Sequence, residues 1–284
     1  MTSPRPSTAD KRKTYRELHE TGCFVLPNPW DIGSARYLQH AGFKALASTS
    51  AGYAFAQGLP DSAVDRDMML AHLRELAAET DVPVNADFEG GYADDPDEVA
   101  ANVRLCIETG VAGLSIEDAT MDGSIPLYDF DLALARVRAA RAAIDKTNSG
   151  VVFTARTEGF IRNRPDIDET VRRLKAFADA GADCLYAPGV RSREHIEAVI
   201  KAVAPKPVNI LMPANLGFSV GDLERMGARR ISVGGSLARV AWTAVARAAK
   251  EMLAQGTFAC FDGTMTNAEL NALFREDMKK RGRS

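Results

Sequence analysis

Short apolar runs recur along the chain, each bounded by turn residues and each followed by a stretch of helical period. Eight of them start near Cys23, Lys44, Pro83, Gly113, Val151, Cys184, Pro207 and Arg229. Runs of this kind predict strands of a parallel sheet buried on both faces. The intervening segments place apolar residues on one helical face. Val99, Val103, Cys106 and Ile107 make such a stripe, introduced by Asp95-Pro96-Asp97-Glu98 as cap, first-turn proline and reciprocal acid. Ile167, Val171, Leu174 and Ala178 make another. At Ala41-Gly42-Phe43, Thr109-Gly110-Val111, Ala180-Gly181-Ala182 and Met226-Gly227-Ala228 a helix stops on glycine and hands over to a strand.

Strict strand–helix alternation over 284 residues predicts a (β/α)8 TIM-type barrel, a fold that typically needs about 250. An open doubly wound sheet is the alternative, but no Gly-x-Gly-x-x-Gly follows the first strand. The expectation is one barrel domain over 1–284, with the barrel at about 23–256, an N-terminal helix over Ala9–Glu20 and a helical C-terminal extension at about 257–284, centred on Asn267–Lys280.

Several strands end in charge, for which core packing gives no reason. Pro83-Val84-Asn85-Ala86-Asp87-Phe88-Glu89, Gly113-Leu114-Ser115-Ile116-Glu117-Asp118 and Val151-Val152-Phe153-Thr154-Ala155-Arg156-Thr157 are the clearest. In a barrel, strand C-termini and the loops after them build the site. Arriving there would be Asn28, Trp30 and Asp31, then Thr49, Ser50 and Ala51, then Asn85, Asp87 and Glu89, then Glu117 and Asp118, then Arg156 and Glu158, with Asn209 and Gly234-Gly235-Ser236 later and Asp61 folding over the mouth. If Asp61, Asp87 and Glu117 converge, each pair of like charges about 5 Å apart repels by roughly 3 kcal/mol at an effective dielectric of about 20. Protons or a cation must neutralise them, and an all-oxygen ligand set favours Mg²⁺ or Mn²⁺. The plainer alternative is a structural network with Arg156 and nearby lysines. Arg156 can clamp a carboxylate or phosphonate with its planar fork, or neutralise Glu117 or Glu158. Thr49-Ser50-Ala51-Gly52 offers hydroxyls and N–H groups to an anion, or is a simple turn. Ser236 opens a helix where many barrels hold phosphate, or merely caps it.

Composition narrows the setting. With 46% hydrophobic and 26% charged residues and a net charge of −3, the chain has no basic face for nucleic acid or an anionic membrane. Lys279 to Arg283 reads as a frayed solvated tail. The polar start carries no secretion signal and no run approaches the roughly 18 apolar residues of a membrane span, which points to the cytoplasm. Cys23, Cys106, Cys184 and Cys260 lack metal-type spacing and read as structural. His19, His40, His72 and His195 fall in helices away from the strand ends.

Asn28-Pro29-Trp30-Asp31, Ser48-Thr49-Ser50-Ala51-Gly52, Gly58-Leu59-Pro60-Asp61, Asn85-Ala86-Asp87, Ile116-Glu117-Asp118 and Ala155-Arg156-Thr157 resemble the isocitrate lyase/phosphoenolpyruvate mutase superfamily, in its order and spacing from about Cys23 to Ser236. The resemblance implies a Mg²⁺-bearing barrel acting on small 2-oxo or 2-hydroxy carboxylates, breaking or forming C–C or P–C bonds through enolate-like species. It assigns Asp61, Asp87 and Glu117 to the metal, Arg156 to the substrate carboxylate, and Ser50 with its neighbouring amides to a second carboxylate or phosphonate. Trp30, Thr49, Ala51, Asn85 and Asn209 would complete substrate binding, and Asp87, Glu117 and Arg156 would carry catalysis. It also implies a homotetramer, a dimer of dimers that swap the last barrel helix. Three places depart from the pattern. Asn85 stands where many members have a metal-binding Asp. Ala119-Thr120-Met121-Asp122-Gly123-Ser124 replaces the Lys-Lys-Cys-Gly-His motif whose Cys is the lyase acid/base, leaving water, Tyr128 or Glu158 as proton carrier. Pro188 stands where phosphonate enzymes of the superfamily place a His. A carbon–carbon lyase is therefore expected, with a phosphonopyruvate-type mutase or hydrolase, or a keto-acid-binding barrel without turnover, as alternatives.

Overall fold

The computed structural model describes residues 5–120 and 124–282. Eight parallel strands, β1 (Phe24–Leu26), β2 (Leu46–Ala47), β3 (Val84–Asp87), β4 (Gly113–Glu117), β5 (Val152–Arg156), β6 (Cys184–Tyr186), β7 (Val208–Leu211) and β8 (Arg230–Ser232), run in the order β1-β8-β7-β6-β5-β4-β3-β2. The end strands meet at a seam where Ala47 N–H donates to Pro27 O at 3.1 Å. Asn28 stitches that seam. Its amide N–H donates to Ser48 O at 2.9 Å, and its amide oxygen accepts from the N–H of Val233 and Gly234. The result is a nearly closed (β/α)8 barrel whose strands begin within two residues of the expected places.

Side chains alternate across each strand. Val84, Ala86, Leu114, Ile116, Phe153, Ala155, Leu185, Val208, Ile210 and Ile231 point outward into one continuous apolar shell with the helix stripes. Their neighbours Asn85, Asp87, Ser115, Glu117, Thr154, Arg156, Tyr186, Asn209, Arg230 and Ser232 therefore point into the lumen, as the register pairs Asp87↔Ser115, Glu117↔Arg156 and Asn209↔Arg230 confirm. A barrel lumen is ordinarily filled with branched apolar residues; this one is largely polar.

The N-terminal end is closed by α1 (Thr8–Leu18) and a small apolar cluster of Tyr15, Leu26, Ala45, Ala47, Ala112 and Val152. Tyr15 enters because Gly113 has no side chain: a Cβ there would lie 2.5 Å from the Tyr15 ring and 2.7 Å from Asn85 Oδ1. Lys11 donates to Ala77 O and Thr80 O, and Arg12 to Ile107 O and Val111 O. These cations lie on the carbonyl-rich ends of α4 (Arg66–Glu79) and α5 (Pro96–Glu108).

The four joint glycines all take positive φ, between 92° and 99°. Asp95 caps α5 with Pro96 in its first turn. In α7 (Ile167–Asp179) the buried row is Thr170, Arg173, Leu174 and Phe177, rotated from the expected stripe, because Arg173 turns inward to bond Asp118. The C-terminal helix α11 (Asn267–Lys280) is docked on α2 (Ile32–His40) and does not fray at Arg281. The Arg281 guanidinium is buried and pairs with Asp277 at 2.8 Å, with Asp81 at 3.6 Å beyond; Arg283 lies outside the described residues. No helix among the described residues is long and apolar enough to cross a membrane.

Candidate functional site at the barrel mouth

The segment read as a Ser/Thr/Gly turn is the start of a helix. Thr49 accepts the N–H of Gly52 and opens α3 (Ser50–Ala56). Gly52 is where α3 is pressed against its surroundings: a Cβ would fall 3.1 Å from Trp30 Cβ and 3.3 Å from Ala238 Cβ. That first turn points at Asp87. The Asp87 carboxylate takes the N–H and hydroxyl of Ser50 at 3.0 and 3.1 Å, while Ser48 Oγ accepts the Asp87 N–H at 2.8 Å. A carboxylate at a helix N-terminus is favoured by the helix dipole and by the free N–H groups.

Arg156 is the hub. It reaches Asp87 at 2.7 Å, Glu117 at 3.2 Å and Glu158 at 2.7 Å, and its Cζ lies 4.9 Å from the Tyr186 ring centre. Burial alone would lower the guanidinium, but the three carboxylates outweigh it and raise it well above its ordinary value. One cation cannot neutralise three acids. Burial raises Glu117 well above the usual carboxylate range and raises Glu158, against the pull of Arg156. Arg162, at 3.8 Å from Glu117, is the second cation. Glu89 lies beside them, buried, with φ of 45° and one carboxyl oxygen without a hydrogen-bond partner. Burial, Asp87 and Asp61 push its carboxyl up to about 7. Asp61 sits on an exposed loop but turns its carboxyl toward the cluster, where burial and then the charge of Asp87 raise it.

Two cavities meet here. One of about 230 Å³ is lined by Thr49, Ser50, Ala51, Asp61, Asn85, Asp87, Arg156 and Asn209, and descends to Arg230. The other, about 310 Å³, holds Glu89, Glu117, Asp94 and Tyr128. Asp61 and Asp87 thus share a cavity while Glu117 opens on the adjoining one, with Arg156 spanning the wall between. Among the described residues no three acids, histidines or cysteines stand together as a direct metal-binding group.

Other expected arrivals have local duties. Asp31 caps α2 by accepting Ser34 N–H at 2.7 Å. Asp118, buried, accepts from Thr157, Glu158 N–H and Arg173. Trp30 packs beside Gly52 and is not in the wall of the Asp87 cavity. Ser236 does not cap the last barrel helix, α10 (Ser236–Gln255). Gly235 holds that place, and Ser236 Oγ donates to Pro213 O at 2.9 Å. Residues 121–123, within the segment that replaces the lyase motif, lie outside the described residues. The sequence reading missed Arg162, Tyr186 and Arg230. Only Arg230 left a signal, as a charge inside an apolar strand.

A family model described as phosphoenolpyruvate phosphomutase matches residues 15–253. A solved structure of a candidate lyase/mutase from Burkholderia cenocepacia J2315 is 45% identical, with TM-score 0.91 over 94% of this chain and 96% of that one. An oxaloacetate decarboxylase of Paraburkholderia xenovorans (strain LB400) is 31% identical over 69% of this chain and 67% of its own length. The structure of oxaloacetate acetylhydrolase in complex with the product oxalate is 27% identical, with TM-score 0.84 over 98% and 99% of the two chains. The chain belongs to the phosphoenolpyruvate phosphomutase family, within the PEP mutase/isocitrate lyase superfamily.

Proposed function

We propose that the protein breaks a C–C bond in a small 2-oxo or 2-hydroxy dicarboxylate, by decarboxylation, hydrolysis or retro-aldol cleavage, with Mg²⁺ or Mn²⁺ as cofactor. The observation that carries this reading is the pairing of both Asp87 and Glu117 with Arg156, between two adjoining cavities. The donor set fits a hard divalent cation. Among the described residues Asp87, Glu117 and Glu158 form ion pairs with Arg156 and Arg162, Asp61 and Glu89 lie beside them, and a buried Glu89 oxygen lacks a partner. Asp61, Asp87 and Glu117 would hold the ion largely through water, and the ion would supply Lewis-acid polarisation of the 2-oxo group.

Arg156 would grip the 2-oxo carboxylate with two N–H donors. The N–H of Ala51, with the Thr49 and Ser50 hydroxyls, would take the second carboxylate, with Asn85 and Asn209 shaping the remainder. When the C–C bond breaks, its electron pair enters the carbonyl system, and the fixed positive charge of Arg156 stabilises the resulting enolate in a water-poor site. A proton must then reach that carbon. Glu158 is buried and tied to Arg156, whereas Tyr128 lines the cavity that holds Glu117. This favours Tyr128 or a water over Glu158. Tyr128 donates to Asp94, and burial followed by that bond pushes its phenol up to about 12.

The test is turnover of oxaloacetate and related 2-oxo acids with Mg²⁺ or Mn²⁺, where Asp87→Ala should lower the rate by about a hundredfold or more. Equal rates in the two proteins exclude the reading. The family match favours P–C chemistry as a second reading, and a new phosphorus NMR resonance from phosphonopyruvate would put it first.

For the protein partner we propose a second copy of the chain seated on α10. Its Val240, Trp242, Val245 and Leu253 are 68%, 49%, 57% and 89% exposed. Sedimentation should show Trp242→Glu shifting the assembly toward monomer, and an unchanged mass removes α10 from the interface.

A further inference from the structure

Arg230 lies inside the barrel, 2% exposed, at the foot of the cavity that opens at Asp87 and Arg156. Every side chain bonded to it is neutral. Its Nε donates to Asn209 Oδ1 at 2.8 Å, Nη1 to Tyr15 Oη at 2.9 Å and Nη2 to Thr154 Oγ1 at 3.1 Å. His19 Nε2 stands 3.3 Å from Nη1. His19 Nδ1 is 2.7 Å from a carbonyl, Tyr15 O, so Nδ1 carries the proton and Nε2 accepts. A buried guanidinium with no carboxylate is costly unless its donors are used for something.

The bonds above it all run one way. Arg230 can only donate, so Asn209 must turn its amide oxygen downward and its N–H groups upward. Asn209 Nδ2 then donates to Ser232 Oγ at 2.9 Å. Tyr186 is the register partner of Asn209 on the neighbouring strand and lines the same cavity as Ser232 and Arg230. The Tyr186 ring faces the Arg156 guanidinium. Bonded side chains from Arg230 through Asn209 to Ser232, with Tyr186 packed beside Asn209, thus connect the floor of the lumen with the hub at its mouth.

We infer that Arg230 is a positioning residue that sets, through Asn209, Ser232 and Tyr186, the carboxylate affinity of Arg156. The inference rests on the reading of Arg156 as a carboxylate clamp. Arg230 touches neither the acids nor the reacting atoms.

The experiment is oxalate titration by calorimetry of wild type, Arg230→Met, Arg230→Lys, Tyr186→Phe and the Arg230→Met/Tyr186→Phe double variant, each checked for folding. Losing the fixed fork should weaken oxalate binding about tenfold in Arg230→Met, and losing the phenol alone about threefold in Tyr186→Phe. Arg230→Lys should fall between wild type and Arg230→Met. The double variant should be no weaker than Arg230→Met, because both changes cut one chain. Unchanged oxalate affinity in a folded Arg230 variant overturns the inference, as do effects that simply multiply. If Arg230→Met does not fold, Arg230→Lys carries the comparison. If wild type binds neither oxalate nor any 2-oxo acid, the dicarboxylate reading is what fails. The unliganded crystal structure of Arg230→Lys then decides: displaced Tyr186 and Arg156 side chains support the positioning role, and unmoved ones overturn it.

Discussion

The outward and inward faces of the same eight strands are built on opposite principles. The outward face is apolar almost without exception and packs against the helices as a single shell. The inward face carries mostly hydroxyls, amides and charges, with a small apolar cluster at the N-terminal end and Leu211 near the mouth. Stability and chemistry are thus separated by one residue in each strand, since adjacent side chains point to opposite faces. Changes on one face should move folding without moving substrate binding, and the reverse should hold for the other.

The largest effect should come from the shell. Phe153→Ala, at a fully buried outward position, should cost about 3–5 kcal/mol, read as a lower denaturation midpoint, with KM unchanged in the folded fraction. A shifted KM would show that the faces are coupled. Next comes Arg156→Lys in the lumen, which keeps the charge but loses the fork. Its kcat/KM should fall about a hundredfold, close to 3 kcal/mol, while the midpoint moves much less.

A smaller effect separates the faces by pH. His72, on the shell side of α4, stacks on Tyr53 at 3.8 Å, and burial lowers it to about 4. Its folded-state value is depressed, so its contribution is fully present above the unfolded value of about 6.5 and is lost as pH falls toward 4. Urea melts at several pH values should show wild type losing stability relative to His72→Phe over that window, by at most about 1.4 kcal/mol per pH unit. A constant difference would mean His72 is not held neutral. The smallest effect is a control on neither face. Glu197→Ala breaks an exposed 3.5 Å pair with Arg193 and should change stability by less than about 0.5 kcal/mol.

Much of this architecture is legible before folding. Apolar runs, capping residues and joint glycines mark every strand start within two residues, and strand-end charge picks out Asp87, Glu117 and Arg156. The readings that failed depended on three-dimensional partners. Nothing local distinguishes Thr49-Ser50-Ala51-Gly52 as a turn from the same residues as a helix start, until Asp87 lies across its N–H groups. Arg281 looks like tail charge until Asp81 and Asp277 surround it. Arg230 and Tyr186 sit in short strands whose inward face shows only once the register is known. The motif Val84-Asn85-Ala86-Asp87 does contain the clue, because its strict alternation announces a polar lumen as well as a buried strand.

The notch at Gly113 ties the two ends of the molecule together. The ring of Tyr15 occupies the space a methyl group would need, so the amino-terminal helix is a fitted stopper and not an appendage. Shortening the chain past Ser7, or giving position 113 any side chain, would admit solvent from beneath to a chamber meant to open on one side alone.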